Sequence, residues 1–399
     1  MRASEAVKED GRLPGQVILE GEERYRQFDR YLQTHGIRKI FVVCGRSFDR
    51  MQMKEHLESL RPQGVEWVRF SEFQPNPLYE NVVEGVRHFN TSKADLILAV
   101  GGGSAMDVAK CIKLYCRMNP EENYLRQPIV PNDVRLVALP TTAGTGSEAT
   151  RYAVIYDHGE KQSVTDESCI PEAVFFEPAA IDSLPIQQKK ATMLDALCHA
   201  LESFWSVNST EESRAYSETA IRSILAHMDG YFANDLPDLA AMQQAAYVAG
   251  KAINITQTTA GHAMCYKLTS YYGLPHGQAA ALCVAQLWPY MLAHLEDCCD
   301  ARGKEYLTEM FQKLVDAMEK ETPQKAAEAF QMLLLNLGMT FPLGKGNRED
   351  VEKLASSVNP VRLKNHPIRL PHDAVAAMYA RILGVVWDRA KAKEGTSVD

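Results

Sequence analysis

Three consecutive glycines, Gly101, Gly102 and Gly103, follow an apolar run at residues 94–100 and precede a helical pattern at 105–116. No other feature restricts the fold so tightly. A strand that runs through glycines straight into a helix is the phosphate-cradling unit of α/β proteins. Glycine lets the backbone approach a phosphate closely, and the helix start supplies unpaired N–H groups and the positive end of a dipole. The segment reads GGGSAMDVAK, with Ser104 as candidate N-cap. It departs from the usual dinucleotide fingerprint, because Met106 stands where a third glycine is common. Taken alone, the segment fits a plain strand-to-helix turn equally well.

Its neighbours favour a nucleotide fold. Residues 40–44 (IFVVC), 94–100 and 134–139 read as buried strands, and 153–156 as a shorter fourth. Helical patterns at 82–89 and 105–116 lie between them. This alternation predicts βαβ units and a mostly parallel sheet. The pattern changes near residue 180. Beyond it, Leu194, Leu197, Leu201 and Phe204 share one helical face, and similar spacing recurs at 213–225, 242–253, 306–318 and 325–337, with a further helix expected at 372–390. Residues 178–185, with Pro178, Pro185 and the N-cap candidate Asp182, mark the junction. The expected organisation is an α/β dinucleotide-binding domain over residues 1–180 and an all-α domain over 181–399. A length of 399 residues agrees with two domains.

Composition removes several function classes. The formal net charge is −8, and the chain has no strong basic block, which argues against a nucleic-acid partner. The longest apolar runs are too short to cross a bilayer, so no membrane partner is expected. Residues 1–15 are charged and lack the apolar core of a secretory signal. Nine cysteines are scattered without a CxxC pair, against both a disulfide framework and a thiolate zinc cage. A reduced, cytoplasmic protein is expected.

Three further segments carry chemistry. LPTTAGTGSEAT, residues 139–150, packs hydroxyls and glycines into a loop after a strand. It can wrap a phosphate or a ribose, or be a polar surface loop. Two such loops at the carboxyl ends of neighbouring strands point to a ligand. DALCHALES places Asp195 and His199 at i, i+4 on one helical face. GHAMCYKLTSYYGLPHG adds His262 and His276, each beside a glycine. Together these four offer three nitrogens and one oxygen to a divalent metal with an open position, which suits Lewis-acid catalysis on a substrate oxygen. An Asp–His hydrogen bond within one helix is the simpler account of the first pair. Glu202, on the same face, reads as structural.

The motifs GGGSxxDxAK, PTTAGTGSE, DAxxHAxES and GHAM…PHG occur here in that order. The chain thereby resembles the iron-containing (group III) alcohol dehydrogenases over nearly its whole length. The resemblance implies the dehydroquinate synthase-like architecture of that family, a homodimer or larger homo-oligomer, and a metal-dependent, NAD(P)H-dependent alcohol or aldehyde oxidoreductase. It implies Asp195, His199, His262 and His276 as metal ligands, with Fe²⁺ expected and Zn²⁺ compatible. It implies cofactor contacts at Gly101, Gly102, Gly103, Ser104, Thr141, Thr142 and Ser147, with Asn76 and Lys161 also facing the dinucleotide. Cys198 and Cys265 lie beside ligand positions and are read as bystanders.

Two departures bear on specificity. Many members have an acid after the first strand, where it holds the ribose hydroxyls of NAD. Here Gly45 takes that place, followed by Arg46 and Ser47. Loss of the carboxylate beside a cation favours NADPH over NADH. Alcohol dehydrogenases of the family also often have histidine and proline where this chain has Tyr266 and Lys267. Tyr266 is the candidate replacement in proton transfer, although an ordinary tyrosine has a pKa of about 10. Lys267 favours a small anionic aldehyde. Together with NPLYE and RYAVIY, this stretch is similar to the phosphonoacetaldehyde reductase branch, which makes 2-hydroxyethylphosphonate. Lys267 and Arg151 are then candidate phosphonate contacts, or either is instead a structural ion-pair partner, an equal alternative for Arg151. Another small aldehyde or alcohol, or a dehydroquinate synthase-like lyase reaction, are the alternatives.

Overall fold

Strand β2 (Lys39–Cys44) shows why the central runs are continuously apolar. Phe41 and Val43 enter the core on one face of the sheet, while Ile40, Val42 and Cys44 enter the core on the other. A strand covered on both faces has no polar side to show. In the computed structural model, which describes residues 15–342 and 344–386, β2 belongs to a six-stranded parallel sheet. Its other members are β1 (Val17–Leu19), β3 (Glu66–Phe70), β4 (Leu96–Gly101), β5 (Arg135–Pro140) and β8 (Ala173–Phe175), in the order β1-β8-β5-β4-β2-β3. Successive connections leave β2 toward β3 on one side and leave β4 toward β5 on the other. The direction of winding therefore reverses between β2 and β4, where open α/β sheets bind ligands at the carboxyl ends of their strands.

The strand expected at 153–156 exists but lies outside this sheet. It is β6 (Tyr152–Asp157), paired antiparallel with β7 (Glu160–Thr165) in a separate hairpin. Its alternating burial and the turn at His158 and Gly159, both with positive φ, are hairpin features rather than those of a buried parallel strand.

The chain divides into two compact units. Among the described residues the first comprises 15–184 and Asp229–Asn254, and the second comprises Pro185–Met228 and residues 255–386. The break near Pro185 falls at the expected junction. The first unit also takes in residues 229–254, most of them from the helix Leu236–Thr256, which the sequence pattern had grouped with the helical half. Gly250 explains this placement: its Cα lies so close to Gly146 that a side chain at either position would collide with the other's backbone. Gln243 adds a 2.8 Å hydrogen bond to the Pro140 carbonyl.

The second unit is helical, and no strand follows Phe175 among the described residues. The fold class is thus the one expected. The last described helix is shorter than the expected 372–390. It spans His372–Leu383 and stops at Gly384, which adopts the left-handed conformation of a C-cap. Residues 387–390 of the expected helix, and the charged segment 1–14, lie outside the described residues. No helix among the described residues is long and apolar enough to cross a membrane.

Candidate active site

In the first unit, backbone forms the site. β4 ends at Gly101, and the helix Gly103–Tyr115 begins two residues later. Gly102, in extended conformation, is the N-cap. Ser104, expected to cap, is already inside the helix because the turn is too short to leave it outside. The two loops press together. The Thr141 amide donates to the Gly101 carbonyl at 3.0 Å. A Cβ on Gly102 would stand 3.1 Å from the Thr142 side chain, and one on Gly103 3.1 Å from that of Thr145. The glycines therefore leave a cradle with bare backbone, which fits a pyrophosphate.

Lys110, at the end of the same motif, was not singled out from the sequence. It is fully buried, and its ammonium donates to the carbonyls of Ser147 (2.6 Å), Thr150 (2.7 Å) and Tyr152 (2.8 Å). It ties the hydroxyl loop to the helix of the glycine loop. Its sequence signal was a lysine on the helix face carrying Met106 and Ala109. Ser147 is buried beside Asp107. Desolvation lifts the Asp107 carboxyl to about 7, against the pull of Lys110 and Lys161. Lys161 lies on β7, and Asn76 is exposed with φ 57° in the turn before the helix Tyr79–Ser92.

Gly45 and Arg46 follow β2, across the point where the winding reverses from Gly101. Arg46 is exposed. The Gly45 carbonyl accepts from Arg69 Nη2 at 2.8 Å. Asp49, the nearest acid in sequence, is engaged by Arg69 at 2.9 Å and by Lys54 at 2.9 Å. Arg151 has partners within its own unit. Its guanidinium faces Tyr152 Oη, Glu167 and the Asn254 carbonyl, at 3.4, 3.2 and 2.8 Å. These partners match the alternative reading of Arg151 as a structural ion-pair residue.

In the second unit, side chains form the site. Asp195 and His199 lie on the helix Ile186–Trp205, His262 on Ala260–Tyr272, and His276 begins His276–Ala293. Ligand atoms of Asp195, His262 and His276 all lie within 4.8 Å of one another. His262 Nε2 is 3.4 Å and His276 Nε2 4.0 Å from Asp195 Oδ1. This donor set of one carboxylate and two imidazoles fits a divalent cation. His199 is outside that trio, and its ring stacks on His262 with centroids 4.6 Å apart.

The glycines beside the histidines have a packing reason. A Cβ on Gly277 would stand 2.7 Å from Asp195 Cβ, and one on Gly261 2.6 Å from Val284 and 2.9 Å from Glu202 Oε1. Only glycine allows these helices to close around the cluster.

Glu202 is fully buried and does more than fill space. It accepts from the Thr259 hydroxyl (2.6 Å) and the Gly261 amide (2.8 Å), and its other oxygen meets His262 Nδ1. That contact orients His262 with Nε2 toward Asp195. Burial alone would lower the His262 pKa, but Glu202 and Asp195 outweigh it and raise it to about 9. Burial likewise pushes the Asp195 carboxyl upward, yet His199, His262 and His276 hold it well below the usual carboxylate range. Tyr266, one turn beyond His262, stacks on His276 with centroids 5.8 Å apart. Lys267 Nζ lies 5.3 Å from the centre of the Tyr271 ring and has no carboxylate partner among the described residues.

The family model for iron-containing alcohol dehydrogenase matches residues 15–178, and that for the C-terminal part of the Fe-containing alcohol dehydrogenase family matches 189–383. The phosphonoacetaldehyde reductase of Streptomyces viridochromogenes is 32% identical over 320 residues, covering 76% of this chain and 79% of that protein. A lactaldehyde reductase of Escherichia coli is 30% identical over 336 residues, covering 82% and 87%. Among solved structures, the sulfoacetaldehyde reductase from Bifidobacterium kashiwanohense in complex with NAD⁺ superposes with a TM-score of 0.82. It is 23% identical and covers 92% of this chain and 97% of that one, a likeness of fold.

Proposed function

The chain belongs to the iron-containing alcohol dehydrogenase family of metal- and nicotinamide-dependent oxidoreductases, and from that premise we propose that it reduces a small anionic aldehyde, phosphonoacetaldehyde, to its alcohol, 2-hydroxyethylphosphonate. In this reading it prefers NADPH and works in the cytoplasm as a homo-oligomer. The observation that carries the substrate class is Lys267. It lies five residues beyond His262, on the same helix, and has no carboxylate partner among the described residues. A cation on the helix that carries His262 can recognise a phosphonate, which a neutral aldehyde lacks.

Asp195, His262 and His276 would hold the metal, with His199 as the fourth ligand. When bound, the metal supplies Lewis acidity at the substrate oxygen and the dinucleotide supplies the hydride. The chain's own groups do the rest. Glu202 keeps His262 in one orientation, and the Gly101–Gly103 backbone with the Thr141, Thr142 and Ser147 loop holds the dinucleotide. Asn76 and Lys161 complete that surface. Tyr266, whose ring stacks on that of His276, gives a proton to the nascent alcohol. Gly45 leaves room without negative charge for a 2′-phosphate, and Arg46 supplies its counter-charge.

The test is Lys267→Ala. kcat/KM for phosphonoacetaldehyde should fall about 10- to 100-fold, the value of a charged hydrogen bond, while that for propanal stays nearly unchanged. Equal losses on the two substrates would refute the anionic pocket.

A further inference from the structure

The two histidines of the convergent trio are held unequally. His262 has a side chain only 3% exposed and is fixed by Glu202. His276 is the first residue of its helix, and its side chain is 41% exposed. Of the two rings, packing therefore constrains this one less. What lies at the His276 Nδ1 is a thiol. Cys265 Sγ is 3.7 Å from His276 Nδ1. The same sulfur is 3.3 Å from the His262 carbonyl oxygen.

A thiol has one hydrogen to donate and can also accept weakly at sulfur. The His262 carbonyl can only accept, so it takes the S–H. The sulfur is then left to accept, and His276 must carry its proton on Nδ1. A neutral imidazole protonated at Nδ1 has its lone pair on Nε2, the nitrogen that faces Asp195 Oδ1.

We propose that Cys265 is a positioning residue for metal binding, with its thiol bridging the His262 carbonyl and the His276 Nδ1–H so that Nε2 of His276 is presented as a ligand. The inference rests on the trio being a metal site. It revises the reading of Cys265 as a bystander. Cys265 itself is not placed as a ligand, because its sulfur lies on the Nδ1 side of the ring, while Nε2 faces Asp195. The two histidines are thus oriented by different partners: a carboxylate behind His262 and a thiol behind His276.

Partners of this kind are worth about 10- to 100-fold in metal affinity. The experiment uses the full chain, stripped of metal and titrated with Zn²⁺ against a chromophoric chelator. Cys265→Ala should weaken Zn²⁺ binding about tenfold. Cys265→Ser, which also donates and accepts, should recover most of that loss. Cys283→Ala, at another fully buried thiol, controls for lost packing. It should leave the affinity at the wild-type value, while the metal-free melting temperatures of the two alanine variants fall alike. The proposal is overturned if Cys265→Ala binds Zn²⁺ as wild type does, or if Cys265→Ser is as weak as Cys265→Ala. If His262→Ala and His276→Ala both leave Zn²⁺ binding intact, the metal site itself is wrong and the proposal goes with it.

Discussion

In the proposed function, the carboxyl ends of β4 and β5 and the cluster around Asp195 would each bind a charged group, with different materials. At the sheet, the binding surface is backbone. Gly102 and Gly103 contribute by lacking a side chain, and Lys110 holds the opposing loop by its carbonyls. At the cluster, the surface is ionisable side chains in a buried environment, each needing a partner. Histidines hold Asp195 ionised, Glu202 orients His262, and Cys265 meets Nδ1 of His276. A backbone site is damaged by adding atoms and a side-chain site by removing them. The second should also fail more abruptly, because deleting one member leaves its partners buried and unsatisfied.

Three substitutions test that contrast. The largest effect is expected from His262→Ala. It should abolish metal retention, measured by elemental analysis, and lower kcat at least about a thousandfold, matching the several kcal/mol that Lewis-acid stabilisation supplies. Full activity without bound metal would remove the basis of the comparison. Gly102→Ala should do intermediate damage at the other site. The added methyl meets Thr142 at 3.1 Å, and KM for the dinucleotide should rise about tenfold, equivalent to 1.4 kcal/mol, with metal content unchanged. An unchanged KM would mean that the glycine loop does not cradle the cofactor. The smallest effect belongs to Arg46→Ala. An exposed ion pair contributes up to about 1 kcal/mol, so KM for NADPH should rise about fivefold at most while KM for NADH stays put. Parallel shifts for both cofactors would remove Arg46 as the 2′-phosphate contact.

The two regions also differed in how far the sequence disclosed them. β2, β4 and β5 were legible because central parallel strands are apolar on both faces. β1 and β8, VIL and AVF, are too short to show a period, and β3, EWVRF, is a half-buried edge strand with charged residues. β6 was recognised as a strand but given the wrong neighbours, since its pairing depends on the His158–Gly159 turn. The helix Leu236–Thr256 was visible as a helix, but its place in the first unit depends on Gly250 meeting Gly146, which no local pattern encodes.

The glycines and histidines of both sites stood out because their residue types are specialised. Glu202, Lys110 and Cys265 did not. Each acts through a neighbour that is distant in sequence or across a helix turn. A buried acid, a buried lysine and a buried thiol look alike until their partners are known. Arg151 shows the converse: its charge suits a substrate and an ion pair equally, and its partners Glu167 and Asn254 are not legible in the sequence.

The most direct test of the account is the initial rate of NADPH oxidation with phosphonoacetaldehyde. It should be measured on protein of known metal content, before and after stripping and after adding back Fe²⁺ or Zn²⁺. The account predicts turnover by the loaded protein, its loss on stripping and its return with metal. Equal rates with and without metal, or no oxidation of NADPH by the loaded protein, would contradict it.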